Sequence, residues 1–597
     1  MAAKTGLEPA RQLASPFPAA PPGLLPLCAG LAAWSAWFIF RSSFVHAGQR
    51  VFCLFEDAMI SMTYARNLVE GHGLNWARSG APVEGFTHPL WTALMVPANA
   101  FAALDLRYRS LLVQLLSLAI LIAHVVIVRR LTLRHFTAGQ ARHWLPAALL
   151  TAAYYPLNYW ALMGMESGFQ ALLTTASVLL ALDIVCLGRD RHRQLLLLGA
   201  AAYLLRMDML LVVATVQLFV IACGGLRREQ RASWLQGAAL FAAAAGGYSV
   251  FRWLYFGDVL PNTYYLKLYQ VPLAVRLMRG TRMLSASLSD HLLLLVVVAV
   301  GVLVLLRERS EAPAAMAADA LPAGAPAPAT APAAAAEAAS PTSPAPSSWP
   351  ASPAPGQDAA AAGCELRRRL LLPSLIFVAA CAYSVYVGGD AWEMPLNVRA
   401  NRFLVFAMPM VFILFNALLN LVADRIATGL FRRYLVAMAT ALALLVADGL
   451  WMGAEYPENW MDLSVATLPL MVGKQAEVFD KLRRLQGAIG PGGVVASGCA
   501  GIPSYFSDYR MVDLFGYNER HIACQPPAVP LGIDNYGDLQ PGHSKWDYAY
   551  VLARYRPDAF LQPFPPQDPG PLLTAAGYHR DPSNDFWLHG KVTPARE

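Results

Sequence analysis

The sequence predicts a polytopic α-helical membrane protein of about eleven spans, followed by a C-terminal α/β soluble domain on the outer, periplasmic side. Three observations predict it. Apolar runs of about 17–22 residues recur along most of the chain, the length that crosses a bilayer as helix. Lys and Arg gather at the ends of those runs, where membrane topology uses them. After Met452 the composition turns polar, with Gly/Pro turns and the strand-like stretch "GGVVASG". The chain as a whole is 56% hydrophobic and 14% charged, with mean hydropathy +0.41, which is too apolar for a soluble protein of 597 residues. The net charge of +7 does not point to nucleic acid, because the basic residues are those at the span ends.

Residues 1–23 read as a cytoplasmic tail with Lys4, Arg11 and a Pro-rich stretch. The following apolar run flows into "WSAWFIF" without a small-residue cleavage site, so the first helix, Leu24 to Phe40, is expected to be retained. Basic clusters after Val128, at Gly188, Arg227, Arg307, Arg367 and Phe431 are expected in the cytoplasm. Parity between them places spans at 110–128, 144–161, 168–187, 194–205, 209–224, 234–254, 290–306, 370–387, 403–422 and 434–452. Residues 89–104 start and end on the outer side and are interrupted by "VPAN", which predicts a helix lying at the interface. The transmembrane region thus falls into 24–309 and 364–452. Between them, 310–363 is Ala/Pro/Ser-rich and reads as a disordered cytoplasmic linker. Residues 453–597 form the soluble domain. The eight cysteines show no CxxC or metal-ligand spacing, and a Cys499–Cys524 disulfide is left open by the sequence.

The stretch "FEDAMISMTYARNLVEGHGLNW" puts Glu56 and Asp57 just outside the first span. Helical spacing of Ala58, Met62, Ala65 and Val69 follows, so Asp57 could serve as an N-cap. Capping would account for one acid but not two. The same side collects Glu84, Glu166, the pair Arg206 and Asp208, Asp258, Asn262, Lys267, Asp390, Glu393, Arg399 and Arg402. Ionisable groups at membrane spans are costly and usually face a cavity. Such a cavity would hold acids for chemistry and bases for an anion. His72 and His88 stand alone and read as packing residues. In the soluble part, 513–523 and 542–545, with Tyr505, Tyr509, Tyr517, Tyr536 and Trp546 nearby, read either as a sugar site or as ordinary loops.

Taken in order, "EDAMISMTYARNLVEGHGLNW", "PVEGFTHPLW", "GMES", "LRMD", "YFGDVLPNTYYLK", "VGGDAWE…NRF", "AGIPSYFSDYRMVDLFGYNERHIA" and "PGHSKWDYAYVLARYRPD" resemble the GT-C class of integral-membrane glycosyltransferases. Within it the chain is similar to the terminal β-(1→2)-arabinofuranosyltransferases of mycobacteria and their Gram-negative relatives. Two departures stand out: Glu-Asp where relatives often have Asp-Asp, and "GGDAW" in place of Gly-Gly-Asp-aromatic-Met. The second leaves the sugar open. The resemblance implies a GT-C-like fold in the bacterial inner membrane. It also implies an inverting transfer of arabinofuranose or another pentose or hexose, from a polyprenyl-phosphate donor to a cell-envelope glycan or glycoprotein. Membrane lipids are then partners, and nucleic acid is not. In that scheme Asp57 takes the acceptor's proton, and Glu56 orients the acceptor or shares a divalent cation. Lys267, Arg402 and Arg399 would compensate the phosphate, while Asn262, Asp390, Glu84 and Glu166 complete the substrate-binding set. No cofactor beyond that cation is expected. A lipid-linked sugar transporter and a non-catalytic envelope or motility assembly factor are the competing readings. The absence of an internal repeat, and of polar groups at mid-membrane, counts against the transporter.

Overall fold

Helix α1, Leu24–Arg41, leads into a hairpin of β1, Phe44–His46, and β2, Gln49–Val51. The strands pair antiparallel across Ala47 and Gly48, both at positive φ, the backbone that a tight hairpin turn demands. Helix α2, Glu56–Val69, follows and packs along α3, Pro89–Ala100. The helical part continues with α4 (Leu106–Leu131), α5 (Leu145–Ala153), α6 (Tyr155–Leu162), α7 (Ser167–Leu187), α8 (His192–Leu205), α9 (Leu210–Ala222) and α10 (Arg231–Phe256). It ends with α11 (Asn262–Lys267), α12 (Leu273–Ser289), α13 (Leu292–Ala318), α14 (Pro355–Val387) and α15 (Met408–Ile426). The computed structural model describes residues 23–78, 80–101, 103–136, 143–318, 355–393, 401–426, 439–440, 443, 469, 471–563, 568–581 and 586–590.

Among the described residues, four helices are long and apolar enough to cross a membrane: Leu24–Arg41, Leu106–Phe136, Ser167–Leu187 and Glu365–Val387. The pair Leu273–Ser289 and Leu292–Leu305, bent by 91°, would make a fifth. This supports the helical membrane class at a lower span count than the eleven expected. The difference has local causes. The run 144–161 is broken at Tyr154 into α5 and α6, with Pro146 and Pro156 in their first turns, where proline is tolerated because no N–H is needed. The runs 194–205 and 209–224 become α8 and the short apolar helix Met207–Ala222. At about 1.5 Å per residue, fourteen residues reach only about 21 Å, less than the ~30 Å of hydrocarbon. The span at 434–452 lies almost wholly outside the described residues. Helices α13 and α14 extend into both ends of the segment read as a linker, whose Ala-rich flanks favour continuing a helix already begun; 319–354 lie outside the described residues.

The C-terminal part is built on helix α16, Val472–Ala488, and a five-stranded sheet. Strands β3 (Val494–Ser497), β4 (Arg510–Asp513), β5 (Ala559–Leu561), β6 (Tyr578–Arg580) and β7 (Phe586–His589) stand in the order β4-β3-β5-β7-β6. β3 runs parallel to both β4 and β5, while β7 is antiparallel to β5 and β6. Side chains alternate across the sheet. Val495, Ala559 and Leu561 join the large apolar core that also holds Phe55, Met59 and Trp91. Ala496, Val512 and Phe560 face the other way, onto Tyr548, Val551 and Leu573. The sheet therefore shares one core with the helices on one face. Cys499 and Cys524 are both free thiols, so the disulfide left open by the sequence is not formed.

Helices α12 and α14 touch at Gly280, where an added Cβ would run into the backbone of Val385. Gly280→Ala is expected to destabilise the protein by about 1–3 kcal/mol through overpacking. Gly246→Ala in α10, where nothing lies within 4 Å, should leave stability unchanged or slightly raised. Thermal unfolding of the two purified variants in detergent, side by side, checks both.

Candidate active site

Asp57 lies in the first turn of α2, whose N-cap is Phe55. Capping by its side chain is thus not what holds it. Its Oδ2 accepts a hydrogen bond from Arg402 Nη1 at 2.7 Å and a longer one from Trp392 Nε1 at 3.4 Å. The rest of the Arg402 guanidinium grips Asp390 in a fork: Nε donates to Oδ2 at 2.7 Å and Nη2 to Oδ1 at 2.8 Å. Such two-pronged pairing fixes geometry as well as charge. Arg402 also lies over the Trp160 ring, 5.1 Å from its centroid. All three charged groups are largely buried, with Asp390 1% and Arg402 6% exposed.

The loop carrying Asp390 is shaped by Gly388 and Gly389, both at positive φ, a conformation that only glycine adopts without strain. Arg279 of α12 braces it by donating to the carbonyls of Gly388 and Asp390. Glu393 closes the turn, accepting from the Asp390 N–H at 2.8 Å and from Ser287 at 2.6 Å.

Glu56 points elsewhere. Its Oε1 and Oε2 accept the backbone N–H groups of Gly501 and Ile502 at 2.5 and 3.1 Å, at the start of α17, Ile502–Phe506. The carboxylate thus ties α2 to the sheet. Arg66, donating to the Tyr505 carbonyl at 2.6 Å, and Trp76, donating to the Ala500 carbonyl at 2.7 Å, reinforce that seam. Burial pushes the Glu56 carboxyl up to about 7, against the two N–H bonds. Burial also acts on Asp57, but Arg402 and Lys267 outweigh it and hold that carboxyl below the ordinary range. The two neighbours are separated in ionisation by their partners.

Lys267 closes α11 and sits over the Tyr517 ring at 5.5 Å. Among the described residues no hydrogen bond or ion pair reaches its ammonium. Burial and the Arg402 charge bring it down to about 8, with Asp57 acting in the opposite direction. A cavity of about 550 Å³ opens at Asp57, walled at that end also by Trp392, Phe515, Tyr517 and His543. Burial brings His543 down to about 4, so its imidazole is neutral.

The remaining predicted residues divide. Asn262 Nδ2 donates to the carbonyls of Gly516 and Tyr517 at 2.8 and 2.9 Å, holding the aromatic wall. Glu84 forms a separate buried cluster with Arg252 Nε and Tyr248 OH, both at 2.5 Å. Glu166 pairs with Arg206 at 2.7 Å, and Arg206 also pairs with Asp208. His88 bridges Ser61 and Glu166. Arg399 lies outside the described residues. Asp513, from the candidate sugar motif, accepts N–H groups of Phe515, Gly516 and Asn518 within its own loop. Trp392 and His543 stood inside quoted motifs but were not singled out; an aromatic next to an acidic turn was the available signal. For a divalent cation, Glu56 has both oxygens engaged, and among the described residues no group of three or more His, Cys, Asp or Glu gathers as ligands.

The raised Glu56 carboxyl has a thermodynamic consequence. A carboxyl that titrates higher in the folded than in the unfolded state contributes stability at low pH, and this is lost as pH rises through about 7. Glu393, also raised to about 7 by burial and by Asp390, adds in the same direction. The stability of Glu56→Gln relative to the wild type should therefore rise between pH 5 and 8, because the variant lacks this loss; thermal scans of both proteins at stepped pH in one detergent measure it. No family model matches this chain, and neither the curated proteins nor the solved structures hold a match to it.

Proposed function

We propose that this protein is a membrane glycosyltransferase that moves a sugar from a polyprenyl-phosphate donor to a cell-envelope glycan or glycoprotein. The observation that carries the reading is Asp57 on the wall of an aromatic-lined cavity, held ionised by Arg402 and by the charge of Lys267, whose ammonium makes no hydrogen bond or ion pair among the described residues. Aromatic faces and a carboxylate suit a sugar ring and its hydroxyls, and a lysine suits a phosphate as a point charge.

The acceptor hydroxyl attacks the anomeric carbon on the face opposite the phosphate. The new C–O bond forms as the old one breaks, and the polyprenyl phosphate leaves with the electron pair. The hydroxyl proton passes to Asp57. A carboxylate held this low is a weak base, and Arg402 is the reason. A phosphate drawing Nη1 toward itself would loosen that grip and raise the basicity of Asp57 when the donor is in place. Arg402 is accordingly a positioning group, and Lys267 is the phosphate's counter-charge. In this reading about eleven spans, several of them short or paired, embed the helical part in the bacterial inner membrane. The C-terminal part from residue 453 lies on the outer face.

Asp57→Asn keeps the shape and loses the basicity, so transfer of labelled sugar by purified protein in nanodiscs should fall about 10²–10⁴-fold with donor affinity little changed. A wild-type rate in that variant would remove Asp57 from the chemistry. Lys267→Ala should chiefly raise the donor KM. In the wild type, donor affinity should weaken as pH rises above about 8, where Lys267 gives up its proton; a flat profile across pH 7–9 would place the phosphate elsewhere. Reporter fusions after residues 310 and 470 should report opposite sides of the membrane.

A further inference from the structure

Lys545 is wholly buried, 0% exposed, and has no part in the transfer described above. Its ammonium donates to three backbone carbonyls, Tyr265 and Tyr269 at 2.8 Å and Ala523 at 2.9 Å. An ammonium has three N–H donors, so all of them are used. Burying a cation is costly unless polar partners replace its water. An uncharged side chain of similar length would fill the space without that cost. What the lysine secures is therefore read from the carbonyls it holds.

Two of them bracket Lys267: Tyr265 stands before it and Tyr269 after it. Lys267 closes α11, and a helix end leaves its last carbonyls open. Lys545 takes one of these, that of Tyr265. The third carbonyl, Ala523, belongs to α18, Arg520–Cys524, which packs against α11. Further ties run alongside. Asn262 opens α11 and donates to the Gly516 and Tyr517 carbonyls. Gln270, at φ +60°, donates to the Cys524 carbonyl at 3.1 Å. The backbone on both sides of Lys267 is thus fastened to the C-terminal part.

The loop that carries Lys545 also meets the Lys267 side chain. Gly542 stands at φ +89°, and a Cβ there would run into the Tyr517 hydroxyl and come within 3.2 Å of Lys267 Cε. His543, next in the chain, walls the cavity at Asp57. Ser544 stiffens the loop: its Oγ accepts from the Gln540 N–H at 3.0 Å and its carbonyl from the Ala528 N–H at 2.8 Å. The stretch "GHSK", which the sequence leaves between a sugar site and an ordinary loop, is packed around Lys267 from two directions.

We propose that Lys545 is a positioning residue for Lys267, fixing the backbone from which that side chain reaches its phosphate. A lysine is a point charge on a flexible stem, so where its charge stands depends on where its Cα is held. With Lys545 behind the backbone and Gly542 against the stem, the ammonium lies over Tyr517 before a ligand arrives. Ordering in advance spares the ligand that cost. Calling the ligand a donor phosphate rests on the glycosyl-transfer reading; the hold on Lys267 does not.

Two measurements on the intact protein in nanodiscs test this. The first is trace acetylation with acetic anhydride, read by mass spectrometry as the ratio of Lys267 to Lys474, which is exposed on α16. Lys545→Met keeps the length of the side chain and loses its donors, so this ratio should rise at least about threefold as the segment loosens. The second is calorimetric titration with farnesyl phosphate. Lys545→Met should weaken binding about tenfold and raise the donor KM while kcat stays within about twofold. In a Lys267→Ala background the same substitution should cost nothing further, because residues acting through one another are not additive. An equal loss in both backgrounds, or an unchanged acetylation ratio, would overturn the proposal. Should the methionine variant not fold, Lys545→Gln, which keeps two N–H donors without the charge, carries the same comparisons. A raised ratio with farnesyl phosphate binding indifferent to Lys267→Ala would instead strike the phosphate role of Lys267, and with it the donor reading, and leave the positioning standing.

Discussion

The Arg402 guanidinium holds the site together. It forks onto Asp390 and extends its third nitrogen to Asp57, joining the turn after α14 to the first turn of α2. These are three charges removed from water. Desolvating them is costly, and only the close, well-aligned pairing offsets it. Taking away one member would leave an uncompensated buried charge, so the arrangement stands or falls as a unit. Its geometry is set from behind by the two left-handed glycines before Asp390, by Arg279 on their carbonyls and by the Trp160 ring under Arg402.

Helical geometry explains why two adjacent acids serve different ends. Successive residues on a helix point about 100° apart, so one turn can face two neighbours. Glu56 turns to the open N–H groups of Gly501 and Ile502, and Asp57 turns to the cavity. The first is a bond between the helical part and the sheet. The second is a carboxylate kept ionised by Arg402 and Lys267. The pair thus divides between a tie to the sheet, Glu56, and a carboxylate on the cavity wall, Asp57.

The other polar clusters show how an apolar chain accommodates charge. Glu84 with Arg252 and Tyr248, and Glu166 with Arg206, Asp208 and His88, are closed groups inside the helical part. In each, an arginine pairs directly with the carboxylates, as buried charge requires. Lys267 differs in that among the described residues no hydrogen bond or ion pair reaches its ammonium; it lies over the Tyr517 ring and acts on Asp57 through its charge. Charge that is complete within the protein reads as structure, whereas charge facing a cavity is available to a ligand.

Much of the class was legible in the sequence, because length and apolarity of a run are local properties. Helix α1, the start of α2 at the acidic pair and the strand at "GGVVASG" follow from such patterns. Span counting went further than local signals allow: apolarity does not reveal a break at Tyr154 or the 91° bend before α13. The sequence also determined which ionisable residues were available, and it placed Asp57, Lys267, Asp390 and Arg402 in one set. It could not pair them. Whether an acid meets an arginine, a backbone N–H or empty volume depends on residues hundreds of positions away. Tertiary structure alone decided that Glu56 belongs to Gly501, that Glu84 and Glu166 belong to the helical part, and that Asp57 opens into the cavity, because electrostatic partnership depends on distance in space and not on spacing along the chain.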